Sequence, residues 1–166
     1  APHCAMLLAD LGADVVRIDR PGGNGWPNPI QDRGGEILNL DIRTDAGRTR
    51  CLQLAVKADV IIEGFRPGVM ERLGLGPEPV QSHNPRLVYG SLSGFGDARN
   101  GVSPYAAWPA FDVVAQAMGG MIGITGPDGQ TPTKIGPGVG DIVPGMFLAF
   151  GLVSALYRAR QTGEGQ

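Results

Sequence analysis

Apolar positions in this chain come in short runs separated by turns, and the spacing within them takes two forms. Val15-Val16-Arg17-Ile18, Val60-Ile61-Ile62-Glu63 and Leu87-Val88-Tyr89-Gly90-Ser91-Leu92 are nearly continuous apolar runs of strand length. Strands buried on both faces have this pattern. Ile37-Leu38-Asn39-Leu40-Asp41-Ile42 alternates instead, as an extended segment with one wet face does. Between these runs the spacing is helical. Ala5, Leu8 and Leu11 share a face of a helix over Pro2–Leu11, with Pro2 in its first turn and Gly12 just past its end. A second helix is predicted over Asp45–Lys57, with Leu52, Ala55 and Val56 on one side. Short helices follow from Pro67 to Leu73 and from Pro77 to His83, another runs over Pro109–Met118, and a long apolar one over Ile142–Arg160 is closed by Gly163. Gly22–Pro29 and most of Gly119–Gly140 are predicted as loop.

Strand and helix in alternation, with apolar strands, predict a parallel sheet with helices on both faces. Right-handed crossovers make this a Rossmann-like α/β domain. The chain opens on a helix and stops at Gly163-Glu164-Gly165-Gln166, where a strand is due, so residues 1–166 read as part of a larger domain.

Gly and Pro, 27 and 14 of 166 residues, are about twice as frequent as usual. With 42% hydrophobic residues and a net charge of −2, they punctuate a folded chain rather than mark disorder. The 14 Lys and Arg against 16 Asp and Glu leave no basic field for nucleic acid. Two cysteines, Cys4 and Cys51, make neither a disulfide framework nor a zinc site, so a reduced, cytoplasmic chain without metal is expected. The longest uncharged apolar run, Ile142–Tyr157, has 16 residues and contains Pro144, Gly145 and Gly151. It falls short of the ~20 needed to span a bilayer, so no membrane is expected as a partner.

Gly136-Pro137-Gly138-Val139-Gly140-Asp141 leads into the long helix but lacks the last glycine of a dinucleotide fingerprint. Asp141 has two readings. It is an N-cap accepting free backbone N–H groups, or a nucleophile at the positive end of a helix dipole. In the second reading Gly138 and Gly140 leave room for a thioester carbonyl, and their N–H groups face its oxyanion. Arg20-Pro21-Gly22, Arg66-Pro67-Gly68-Val69-Met70 and Arg99 each follow a strand, on the edge where parallel sheets bind ligands. They are either a site for a phosphate-bearing ligand or three solvated loop arginines. Met70 packs on a flat ring or fills the core. His3 and His83 are expected to be exposed, Cys4 and Cys51 to pack in the core, and Trp26 and Trp108 are isolated loop aromatics.

Together these segments resemble a known family. Leu11-Gly12-Ala13-Asp14-Val15-Val16-Arg17-Ile18-Asp19-Arg20-Pro21-Gly22 is similar to the opening signature of the family III CoA transferases, the CaiB/BaiF group. Four further similar segments follow in order. They are Asn39–Ile42, Glu63–Gly74, Asn84–Tyr89 and Phe111–Gly120. Gly140-Asp141 through Gln166 then resembles the helix that carries the family's nucleophile.

The resemblance implies that Asp141 attacks an acyl-CoA thioester and later carries CoA as an aspartyl thioester to an acceptor carboxylic acid. It implies CoA contacts at Arg20, at the turn Pro67, Gly68, Val69 and Met70, at the strand end Ser91, Leu92 and Ser93, and at Arg99. The family also contains α-methylacyl-CoA racemases, whose histidine base falls where Phe111 stands here. They have an arginine in place of Ser91. The resemblance therefore favours transferase over racemase, with a non-catalytic CoA-binding or assembly fragment as a third reading. Family members are interlocked homodimers of about twice this length. A first strand and a C-terminal half are accordingly expected outside this sequence. Gly96–Ala107 and Gly126–Lys134 are expected to shape the acyl pocket.

Overall fold

A computed structural model of the chain describes residues 1–23 and 28–166, so Trp26 lies outside the described residues. In chain order the elements are α1 (Pro2–Asp10), β1 (Val15–Asp19), β2 (Gly35–Asn39), α2 (Asp45–Ala55), β3 (Val60–Glu63), α3 (Val69–Arg72), α4 (Pro77–His83), β4 (Val88–Ser91), α5 (Asp112–Met118), α6 (Met121–Ile124) and α7 (Val139–Thr162). Local chemistry sets several ends. Proline occupies the first turn of α1 and α4, where a missing N–H costs nothing. The Thr44 hydroxyl accepts the Gly47 N–H at 3.0 Å and caps α2. Gly163 ends α7 in the left-handed region at φ 79°.

The expected α/β class with parallel pairing is present. β1 pairs with β2, and β3 with β4, both in parallel. The strands form two two-stranded sheets rather than one continuous one. β1 and β3 both border an open cleft of about 1430 Å³, and neither pairs with a further described strand. The alternating segment pairs earlier than its sequence pattern suggests, over Gly35–Asn39, because Asp41 turns the chain toward α2. The segment expected to be loop after Gly119 contains the single turn α6.

The β3–β4 pair has helices on both faces, and its side chains sort by strand alternation. Val60, Ile62 and Val88 face Cys4 and Leu8 of α1 and Leu152 of α7. Ile61 and Tyr89 face the other way, toward Ala55 of α2 and Val80 of α4. Cys4 is fully buried, as its apolar setting predicts, and burial pushes its thiol pKa up. After α7 the chain returns to the sheet, where Gly165 N–H donates to Pro85 O and Tyr89 N–H to Gln166 O, both at 2.7 Å. His83 is exposed as expected, whereas His3 is half-buried, its ring 3.2 Å from where a Cβ of Gly145 would lie. The absence of that Cβ lets α1 press on α7.

α7 corrects a second expectation. It runs 24 residues, beyond the uncharged stretch at both ends, and by length and composition it is long and apolar enough to cross a membrane. One side of it lies against α1 and β4, like a helix laid on a sheet. Its opposite side is uncovered, with Phe147 71%, Phe150 75% and Tyr157 68% exposed.

Candidate functional site

Asp141 is the third residue of α7, one turn from a helix start made by Gly138. The N-cap reading does not hold. The helix begins two residues before Asp141, and no side chain caps it. The Asp141 N–H donates to Gly138 O at 3.0 Å, while its carboxylate accepts no hydrogen bond among the described residues. That exposed carboxylate lines the cleft together with Gly140, Phe111, Trp108, Phe65 and Glu63. A carboxylate with no hydrogen-bond partner among the described residues thus sits at the positive end of a long helix, beside an open cleft.

The preceding loop is held by α5. Asp112 accepts the Gly140 N–H at 2.8 Å and pairs with the Lys134 ammonium at 3.0 Å. Gln116, fully buried, donates to both Asp112 oxygens at 3.0 Å and accepts the Ile135 N–H at 2.9 Å. The Gln116 amide, with Lys134 and the Gly140 N–H, holds the Asp112 carboxyl below its ordinary value of 3.8. The Gly140 N–H is thus already engaged and is not free for an oxyanion, which corrects the donor role expected of it. What Gly140 provides is closeness. A Cβ there would lie 3.0 Å from the Ala115 Cβ and 3.1 Å from the Asp112 carbonyl oxygen. Sequence reasoning missed Asp112 and Gln116 as site residues. Their signal was an i, i+4 polar pair on an otherwise apolar helix.

A third missed residue lies at the end of β3. Glu63 is 8% exposed, its carboxylate accepts the Phe65 N–H at 2.7 Å, and the Ser91 hydroxyl donates to it from the paired position on β4. This buried carboxylate fixes the entry into Arg66-Pro67-Gly68. There Gly68, at φ 81°, makes a turn that favours glycine and starts α3. Met70, 7% exposed, points into the protein as core filling does.

Of the candidate ligand contacts, Pro67, Met70, Leu92 and Ser93 line the same cleft as Gly140 and Asp141, and Arg66 joins them. Gly68, Val69, Ser91 and Gly138 stand one or two residues from that lining. Arg20 is exposed at the end of β1, in the other sheet. Arg99 is committed elsewhere. Its guanidinium forms a two-pronged pair with Asp97 at 2.9 and 3.0 Å and reaches Glu71 at 3.6 Å. Of the loops expected around an acyl group, the first contributes Ala106 to the cleft. The neighbouring Trp108 lines it too and packs edge-on against Tyr105 at 4.9 Å. The second places none of its residues in the cleft lining; its Lys134 pairs with Asp112 instead. Among the described residues no cluster of His, Cys, Asp and Glu could hold a metal ion.

Known proteins share this arrangement of chain. Succinyl-CoA:mesaconate CoA-transferase of Haloarcula hispanica is 43% identical over 182 residues, covering 99% of this chain and 46% of that protein. Alpha-methylacyl-CoA racemase of Homo sapiens is 39% identical over 166 residues, covering 99% of this chain and 42% of that protein. The crystal structure of a CaiB/BaiF family protein from Brucella suis superposes with a TM-score of 0.89 at 34% identity, over 99% of this chain and 47% of that one. The chain thus spans a little under half the length of these relatives. The family model described as CoA-transferase family III matches residues 1–166, and the chain belongs to that family.

Proposed function

We propose that this chain, within a protein of its relatives' length, moves CoA between an acyl-CoA and a free carboxylic acid, with Asp141 as covalent carrier. An Asp141 oxygen attacks the thioester carbonyl carbon, the C–S bond breaks, and CoA leaves as thiolate from a mixed anhydride. The thiolate then attacks the aspartyl carbonyl of that anhydride, releasing the donor acid and leaving an aspartyl-CoA thioester. The acceptor carboxylate attacks this thioester and expels the thiolate, which takes the new acyl group and returns Asp141 as carboxylate. No metal enters any step.

One observation carries the reading: a carboxylate without a hydrogen-bond partner among the described residues faces the cleft from the first turn of α7. Exposed Arg20 and Arg66 fit the phosphates of CoA, and the Pro67–Met70 turn and the Ser91–Ser93 strand end fit its flat and pantetheine parts. Phe111, 69% exposed and lining the cleft, offers no base for exchanging an α-proton, which favours transfer over racemisation. The uncovered face of α7 suits burial in a homodimer, and the reduced cysteines suit the cytoplasm.

The test is isotope exchange on the full-length protein. Labelled acid is expected to enter acyl-CoA, and Asp141→Ala to lower that rate by about a thousandfold or more. Full exchange by Asp141→Ala overturns the covalent route, and deuterium uptake at the α-carbon without exchange replaces transfer by racemisation.

A further inference from the structure

We infer that Asp112 and Gln116 are positioning residues for Asp141, clamping the backbone from which its carboxylate projects; this rests on the proposed role of Asp141. The first N–H groups of a helix have no acceptor within it. In α7 the Gly140 N–H finds one in Asp112 Oδ1, at 2.8 Å, on another helix. The bond fixes the Val139–Gly140 peptide, one residue before Asp141. Gln116 fixes the approach to that peptide. Its amide accepts the Ile135 N–H at 2.9 Å and donates to Asp112, so the two side chains hold the loop and the helix start as one unit.

The clamp is close to the candidate nucleophile without touching it. A Cβ at Gly138 would lie 3.7 Å from both Asp112 Cγ and Asp141 Oδ2, so the two carboxylates flank one glycine. The Lys134 ammonium, 3.0 Å from Asp112, offsets the charge of the clamping carboxylate. Gln116 is fully buried with its polar atoms bonded, so the unit is held by interior packing rather than by a surface contact. A carboxylate misplaced by about 1 Å loses on the order of a hundredfold in rate, although substrate contacts elsewhere in the cleft are intact.

The experiment uses the full-length protein with acyl-CoA and labelled acid. Asp112→Ala removes the acceptor for the Gly140 N–H. It is expected to lower kcat by roughly 10- to 100-fold while KM for acyl-CoA changes less than about twofold. Asp112→Asn keeps an oxygen at that position and is expected to recover at least about tenfold of the loss. Wild-type kcat in folded Asp112→Ala, equal loss in both variants, or a loss confined to KM overturns the clamp. Should Asp112→Ala fail to fold, Gln116→Glu replaces it. That variant keeps the Ile135 acceptor but loses the amide donor to Asp112, and the same kcat loss at constant KM is expected. Asp141→Ala run alongside separates the two claims. If it stays active, the covalent route fails and the clamp with it; if it is dead while Asp112→Ala is fully active, only the clamp fails.

Discussion

Gly90 of β4 lies directly beneath Leu152 of α7: a Cβ on Gly90 would come within 2.9 Å of Leu152 Cδ2 and 3.3 Å of Leu148 Cδ1. The strand is bare at this point, and the long helix settles onto it. Gly90→Val is therefore expected to push α7 off the sheet and to lower stability by about 1–3 kcal/mol. Urea unfolding of the full-length protein measures this. The double variant with Leu152→Ala should lose less than the sum of the single losses, because the added methyls then have room. Strict additivity would mean the two residues do not share this space.

The three arginines separate into two kinds. Arg20 and Arg66 are exposed, whereas Arg99 is held by Asp97 and Glu71. Calorimetric titration of the full-length protein with CoA is expected to show about tenfold weaker binding for Arg20→Ala and for Arg66→Ala, as loss of one charge-assisted contact implies. Arg99→Ala is expected to stay within about threefold of wild type, since removing it leaves its own carboxylates, not a phosphate, unpaired. Equal losses at all three positions would assign Arg99 to the ligand after all.

Acid should loosen the start of α7. The Asp112 carboxyl is lowered below its ordinary 3.8 by the Gln116 amide, Lys134 and the Gly140 N–H. A group lowered in the folded state stabilises it fully above the ordinary value, and that contribution disappears as pH falls through the native one. Unfolding of the full-length protein measured between about pH 6 and 2 is expected to show stability falling below about pH 4, with a shallower fall in Asp112→Asn. An identical slope in the variant would mean that other carboxylates carry the acid response.

Much of this molecule was legible because its signals are local. The span of β3 follows from one apolar run, and that of α4 from a proline at its start and an Asn-Pro beyond its end. The family was legible from ordered motifs, since each segment fixes its own turn or cap. Most of what escaped notice depends on contacts across the chain. Asp112 and Gln116 gain their meaning from Gly140 and Ile135, 28 and 19 residues later. Arg99 is held mainly by Asp97, two residues before it, a local signal that was passed over, and it reaches Glu71 only across the chain. Of the two readings of Asp141, the cap followed from an apolar run that begins at Ile142, yet the helix draws in Val139 and Gly140, and α5 supplies an acceptor for the free N–H. The single large sheet expected from the alternation divides into two pairs, because periodicity tells which residues are strand but not which strands meet.

The uncovered stripe of Phe147, Phe150 and Tyr157 and the carboxylate of Asp141 belong to one unbroken helix. Should a contact on the stripe shift the helix, Asp141 shifts with it, and the two events are linked. Reciprocity then applies. If covering the stripe tightens ligand binding at Asp141 by some factor, ligand at Asp141 tightens the covering by the same factor. If a second copy of the chain is what covers the stripe, the affinity of the site becomes a function of protein concentration, and dilution alone would weaken it.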